Sequence, residues 1–231
     1  MTSAKKIFLR FRIFLLGSVY ERLTRDDGLR PADLIIVAAG GMERKQYGLE
    51  LFHRGVSPKL LLSIGRFEVR KMRNITMEGF DELIQWRERT PLEERHFFFT
   101  IDASGVRVEK AKLPQWNTYG EALAFRQFLE SEKPRCVIVI STDVHLRRVA
   151  LTINKLCRGL GTEFFYCPVP SHLAQFTKED WWAFPQSRFY VFSEMVKLVG
   201  YRLILSLPVW AARLIFTAAR IPRSLLQYRQ F

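Results

Sequence analysis

The chain has 231 residues, 48% of them hydrophobic, and a formal net charge of +13. That apolar fraction excludes a disordered protein, and the length allows a buried core, most simply one domain with terminal additions. The charge is uneven: residues 1–25 hold six Lys/Arg against Glu21 alone, residues 195–231 hold six and no acid, and the middle is nearly neutral. A specific nucleic-acid surface would carry its positive stripe on the folded core, so no specific nucleic-acid partner is expected. Cations on apolar tails suit an anionic membrane surface better.

Residues 1–28 form a basic, apolar N-terminal segment. Its run from Lys5 to Leu16 is interrupted by Arg10 and Arg12, has no small-residue cleavage site after it, and is too short to span a bilayer. Ala32–Ala39 reads as a first strand ending in Gly40-Gly41. A helix from Met42 to Arg54 follows, stopped by Gly55 and Pro58. Lys59–Ile64 is a second strand ending at Gly65, and a helix is expected from Arg70 to Arg87. Phe97–Ile101 and Val106–Lys110 flank Asp102-Ala-Ser-Gly105 as a hairpin.

A helix from Thr118 to Glu130 is expected to open on a capping box, Thr118-x-x-Glu121, with Ala122, Phe125 and Leu129 as its apolar stripe. Cys136–Ile140 is a buried strand running into Ser141-Thr142-Asp143 and a helix that carries His145 and Arg148. Glu163–Cys167 is a last strand, Pro168 and Pro170 open a loop reaching Trp181-Trp182, and a helical tail starts near Ser187. From Leu203 to Ala219 the only charge is Arg213, and Pro208 interrupts the run. Two placements stand for this tail: a kinked helix in a membrane interface, or a helix packed on the domain. Strands alternating with helices give an α/β domain over 29–200, three layers with a mostly parallel sheet, between basic apolar helical tails at 1–28 and 201–231. Cys136, Cys157 and Cys167 are odd in number and lack metal spacing, which suits reduced, buried thiols. The four histidines are dispersed, so no metal site is expected.

Ligands of open α/β sheets sit beyond the carboxyl ends of the strands, which directs attention to two loops. Gly40-Gly41 follows a strand and precedes a helix, so it serves either as a tight turn or as a cradle for an anion. Arg44 lies in the first turn of that helix, where a cation opposes the helix dipole; it either grips an anion or stands solvated. Asn117 points to the same rim. In the second loop Thr142 or Asp143 is expected to cap the helix. His145 and Arg148, three residues apart, share one strip of it and need not touch the core. An imidazole beside capping amides and an arginine resists protonation, so His145 is expected to be neutral.

These segments resemble the YdcF-like family, also known as domain of unknown function 218, with SanA and ElyC as relatives. The resemblance rests on Ala32–Gly41, Arg44, Leu51–Gly55, Asn117–Ala122, Ser141–Ala150 and the late Ser193-Glu-Met-Val-Lys197, and covers about residues 32–200. It implies a Rossmann-like domain whose pocket is lined by Gly40, Gly41, Arg44, Asn117, Thr118, Glu121, Thr142, His145 and Arg148. It further implies binding of S-adenosylmethionine in some members and a link to cell-envelope or polyprenyl-phosphate metabolism in others. Two departures stand out: Ala38-Ala39 where the family favours Leu-Gly, and a poorly matched 66–116 region.

The chain is therefore expected to bind an anionic, phosphorylated or phospholipid-like ligand in a strand-end pocket, at the cytoplasmic face of a membrane or, alternatively, in the cytoplasm. If it is an enzyme, the reaction is phosphate-directed hydrolysis or transfer, with His145, Asp143 and Glu121 as catalytic groups. Two alternatives are a nucleotide or S-adenosylmethionine binder without strong catalysis, and a membrane-docked interaction protein using the Trp181-Trp182 region.

Overall fold

The structure, a computed structural model, describes residues 16–74, 79–113 and 117–218. A six-stranded sheet has the order β4-β3-β2-β1-β5-β6. Its strands are β1 (Leu34–Val37), β2 (Leu60–Ile64), β3 (Phe97–Asp102), β4 (Gly105–Lys110), β5 (Cys136–Ser141) and β6 (Glu163–Pro168). The four strands β2, β1, β5 and β6 are parallel, whereas β3 and β4 form an antiparallel hairpin on the β2 edge. Helical turns cover residues 16–21, and the helices that follow are α1 (Met42–His53), α2 (Phe80–Arg89), α3 (Thr118–Glu132), α4 (Asp143–Leu156), α5 (Pro185–Ser206) and α6 (Val209–Ala218), with 3-10 turns at Lys71–Asn74 and Leu92–Glu94.

The central strands are apolar on both faces because both are covered. Side chains alternate at period two. Leu34, Ile36, Leu61, Phe98, Val137 and Val139 face a core built with α3, α4, α5 and α6. Ile35, Val37, Leu60, Leu62, Phe97, Phe99, Ile138 and Ile140 face a second core with α1 and α2. The result is a Rossmann-like three-layer α/β fold. By the same alternation Ser63 and Ser141, at the carboxyl ends of β2 and β5, point to the α3–α4 side.

The core extends past both boundaries read from the sequence. Tyr20 and Leu23 pack with Val144, Trp181, Val191 and Leu198 in a third cluster. Tyr201, Leu205 and Phe216 belong to the α3–α4 core. Most of the Lys5–Leu16 run lies outside the described residues.

Two expectations change. The helix expected over 70–87 is a 3-10 turn and a separate α2. The break stands at Gly79, whose φ of +76° disfavours any side chain and whose place against Val106 leaves no room for one. Trp181 is fully buried and Tyr20, Trp182 and Phe192 pack around it, so it offers no interaction surface. The C-terminal helix packs on the domain and is interrupted at Pro208, as its missing N–H requires. Among the described residues no helix is long and apolar enough to cross a membrane. The three cysteines are free; Cys157 and Cys167 are buried and Cys136 is partly exposed.

Candidate functional site at the sheet switch point

Chain order reverses between β1 and β5: β2 lies on one side of β1, and β5 and β6 on the other. At such a switch point the two strand-end loops diverge and leave a crevice. Here those loops are 38–41 and Thr142 with the start of α4.

Gly40 has φ +142°, and a Cβ there would stand 2.6 Å from the Arg44 guanidinium carbon. Glycine therefore lets Arg44 lie against its own loop. Arg44 is buried; it donates to the Ala39 carbonyl and, across the switch point, to Thr142 Oγ1 at 2.9 Å. A cation in the first turn of α1 opposes the helix dipole, and this side chain ties the β1 loop to the β5 loop in return. Its Nε–H is buried with no hydrogen-bond partner among the described residues.

The loop amides are held by carboxylates. Glu121 Oε1 accepts from the Ala39 N–H at 2.7 Å and from the Ser63 hydroxyl at 2.6 Å. Glu68 Oε1 accepts from the Gly40 N–H at 2.7 Å, and its other oxygen lies 2.7 Å from the Lys45 ammonium. Lys45 is fully buried and also donates to the Ala38 carbonyl. Ser63 spends its proton on Glu121, so its oxygen accepts from His96 Nε2 at 2.7 Å. Burial, then Lys45 and Arg66, push the His96 imidazole down to about 3, which keeps it neutral. Burial pushes the Glu121 carboxyl up, against its hydrogen bonds from Ser63 and Ala39.

The helix starts differ from the sequence expectation. Asn117, not Thr118, caps α3: its Oδ1 accepts from the Gly120 N–H at 2.9 Å. No capping box forms, because Glu121 points to the β1 loop and Thr118 Oγ1 accepts from Arg148. Thr142 is the cap residue of α4, but its hydroxyl serves Arg44 and not the helix amides. Asp143 accepts from the Val144 N–H at 2.7 Å and from the Tyr20 hydroxyl, and burial pushes its carboxyl up.

His145 and Arg148 are buried, not on an open flank, and face α5. Arg148 donates to both oxygens of Glu194, at 2.8 and 3.1 Å, and to His145 Nδ1 at 2.8 Å, and its guanidinium lies 5.1 Å from the Tyr201 ring centroid. Lys197 adds a second cation to Glu194 at 2.9 Å. Although burial alone would raise it, the His145, Arg148 and Lys197 partners hold the Glu194 carboxyl far below the usual range. His145 is pushed down to about 3, first by burial and then by Arg148, so it is neutral. His145 Nδ1 lies between the Arg148 guanidinium at 2.8 Å and Glu194 Oε2 at 3.2 Å, so the neutral ring is held between a donor and an acceptor.

The structure thus gathers Gly40, Gly41, Arg44, Thr142 and Glu121 around the switch point, and Thr118, His145 and Arg148 on its α3–α4 side. Asn117 and Asp143 are turned to helix capping and to Tyr20. Sequence reasoning missed Lys45, Ser63, Glu68 and His96. Ser63 carried a signal, as the one polar residue in an otherwise apolar strand. Glu194 carried another, as the only acid in the 22 residues of α5. Beside the site, sharing Asp143, a cleft of ≈ 470 Å³ is lined by Tyr20, Tyr47, Cys167 and the 168–171 segment. Its charged residues are Asp26, Asp143, Lys178 and Glu179, so the cleft itself does not attract anions. Among the described residues no three His, Cys, Asp or Glu gather as metal ligands. Comparison of the chain with protein-family models, with curated proteins and with solved structures returned no match.

Proposed function

We propose that the chain is a ligand-binding protein of the YdcF-like kind, taking the anionic group of a small phosphorylated molecule at the β1–β5 switch point. The carrying observation is Glu68. Its carboxylate is held by the Gly40 N–H and the Lys45 ammonium, so the loop already binds an anion, supplied by the chain itself. Glu68 is less buried than Glu121, its side chain being 14% exposed, so a phosphate oxygen can take its place. Arg44, with an unused Nε–H, and Thr142 then complete the shell. The meeting of the resembling stretches Ala32–Gly41, Asn117–Ala122 and Ser141–Ala150 on one rim supports the family reading.

Binding is better supported than catalysis. His145 uses Nδ1 for Arg148, Asp143 serves Tyr20, and Glu121 serves Ala39 and Ser63. A neutral imidazole held between Arg148 and Glu194 is a poor base at neutral pH. S-adenosylmethionine fits less well. In dinucleotide-binding α/β folds a carboxylate just after the second strand holds a ribose, and an S-adenosylmethionine ribose would call for a like group. Glu68 occupies that stretch but is spent on Gly40 and Lys45, so no step is assigned to that cofactor.

The test is thermal stabilisation of the full chain by inorganic phosphate, pyrophosphate, nucleotides, sugar phosphates, short polyprenyl phosphates and S-adenosylmethionine. The phosphorylated probes are expected to stabilise, by about 2.7 kcal/mol at a hundred times the dissociation constant. Arg44→Gln should abolish that gain. Stabilisation by none of the panel, in a well-folded sample, refutes the reading; stabilisation by S-adenosylmethionine alone reassigns the site.

A further inference from the structure

A helix laid on a domain needs one apolar face, and α5 has two. Ser187, Val191, Glu194, Leu198, Tyr201 and Leu205 form the buried face at intervals of three and four. On the opposite side Phe189, Phe192, Val196, Val199 and Leu203 recur at the same spacing, and all are exposed. Past the break at Pro208, Trp210 and Leu214 add to the exposed apolar residues. Val196 is 74% exposed and Leu203 67%. A helix apolar all round is ordinarily covered on every side, and contiguous apolar surface of this kind marks an interaction site.

Charge selects the cover. The exposed charged side chains of α5 and α6 are Arg188, Arg202 and Arg213, all basic. The single acid of the two helices, Glu194, is buried in its ion pair with Arg148. A second copy docked face to face would bring these arginines together with no acid to offset them. An anionic bilayer meets both requirements, apolar depth for the stripe and negative headgroups for its flanks. Trp210 is of the type that settles at the headgroup level. We infer that the outer face of α5 and α6 is a membrane-docking surface, on which the domain lies with α5 along an anionic bilayer. This inference is independent of the ligand reading at the switch point, and either can fail alone.

The experiment is flotation of the full chain with vesicles of phosphatidylcholine, alone or mixed with phosphatidylglycerol. It is repeated on a Val196→Glu/Leu203→Glu double variant. Both positions are outward-facing, so circular dichroism and the unfolding midpoint should match the wild type. Wild type should float with the mixed vesicles and far less with phosphatidylcholine alone. The variant should bind the mixed vesicles on the order of tenfold more weakly, or worse. Undiminished binding by the variant overturns the inference and assigns docking to the terminal segments. A wild-type dimer by sedimentation equilibrium that the variant converts to monomer, without vesicle binding, overturns it in favour of self-association.

Discussion

His96 and His145 are both buried as neutral rings, and each is tied to one of the two polar networks at the switch point. Both are pushed down to about 3 from an ordinary 6.5. As pH falls below 6.5 the unfolded chain takes up protons that the folded one refuses, so stability drops between 6.5 and 3. From about pH 7 to about pH 5 each ring should cost about 2 kcal/mol. Glu121 and Asp143, pushed up by burial, act with the opposite sign, so the histidine effect is read as a difference. Denaturant unfolding at the two pH values should show a flatter dependence in a His96→Gln/His145→Gln variant than in the wild type. Equal slopes would mean that these imidazoles are not buried neutral. The neutrality of His145 was legible in the sequence. Its partner was not, because α4 places His145 and Arg148 toward a helix some 50 residues away, and no local pattern encodes that approach.

The strand ends and helix starts carry the second lesson. The buried runs Leu34–Val37 and Cys136–Ser141 were readable from β-branched continuity, because strands covered on both faces need no polar alternation. The α3 start was misread. Thr118-x-x-Glu121 has the letters of a capping box, yet Asn117 supplies the cap and both other side chains leave for tertiary partners. Two adjacent residue types competent to cap cannot be ranked by sequence when burial decides which one is spent elsewhere. Asn117→Ala should therefore destabilise the protein by about 1 kcal/mol, and Asn117→Asp should restore most of it. Chemical denaturation of the two variants checks this; an unchanged Asn117→Ala protein would return the cap to Thr118. The break at Gly79 was likewise hidden, since a glycine inside a helical pattern is tolerated and only the packing against Val106 shows that no side chain fits there.

Across the whole molecule, the three-layer fold was legible, and so was the gathering of the two strand-end loops. The hidden part was the inward half of the site. Lys45, Ser63, Glu68 and His96 come from four separate segments and meet only when β2 and β3 pair beside β1. That half decides the function proposed, because it shows an anion already seated on the loop. Titration of pyrophosphate into the wild type and into Glu68→Gln is the most direct test. The amide oxygen of glutamine still satisfies the Gly40 N–H, but the competing charge beside Lys45 is gone. Pyrophosphate should bind Glu68→Gln about tenfold more tightly than the wild type. Equal or weaker binding in Glu68→Gln would contradict an anion site at the switch point and leave Glu68 as scaffold alone.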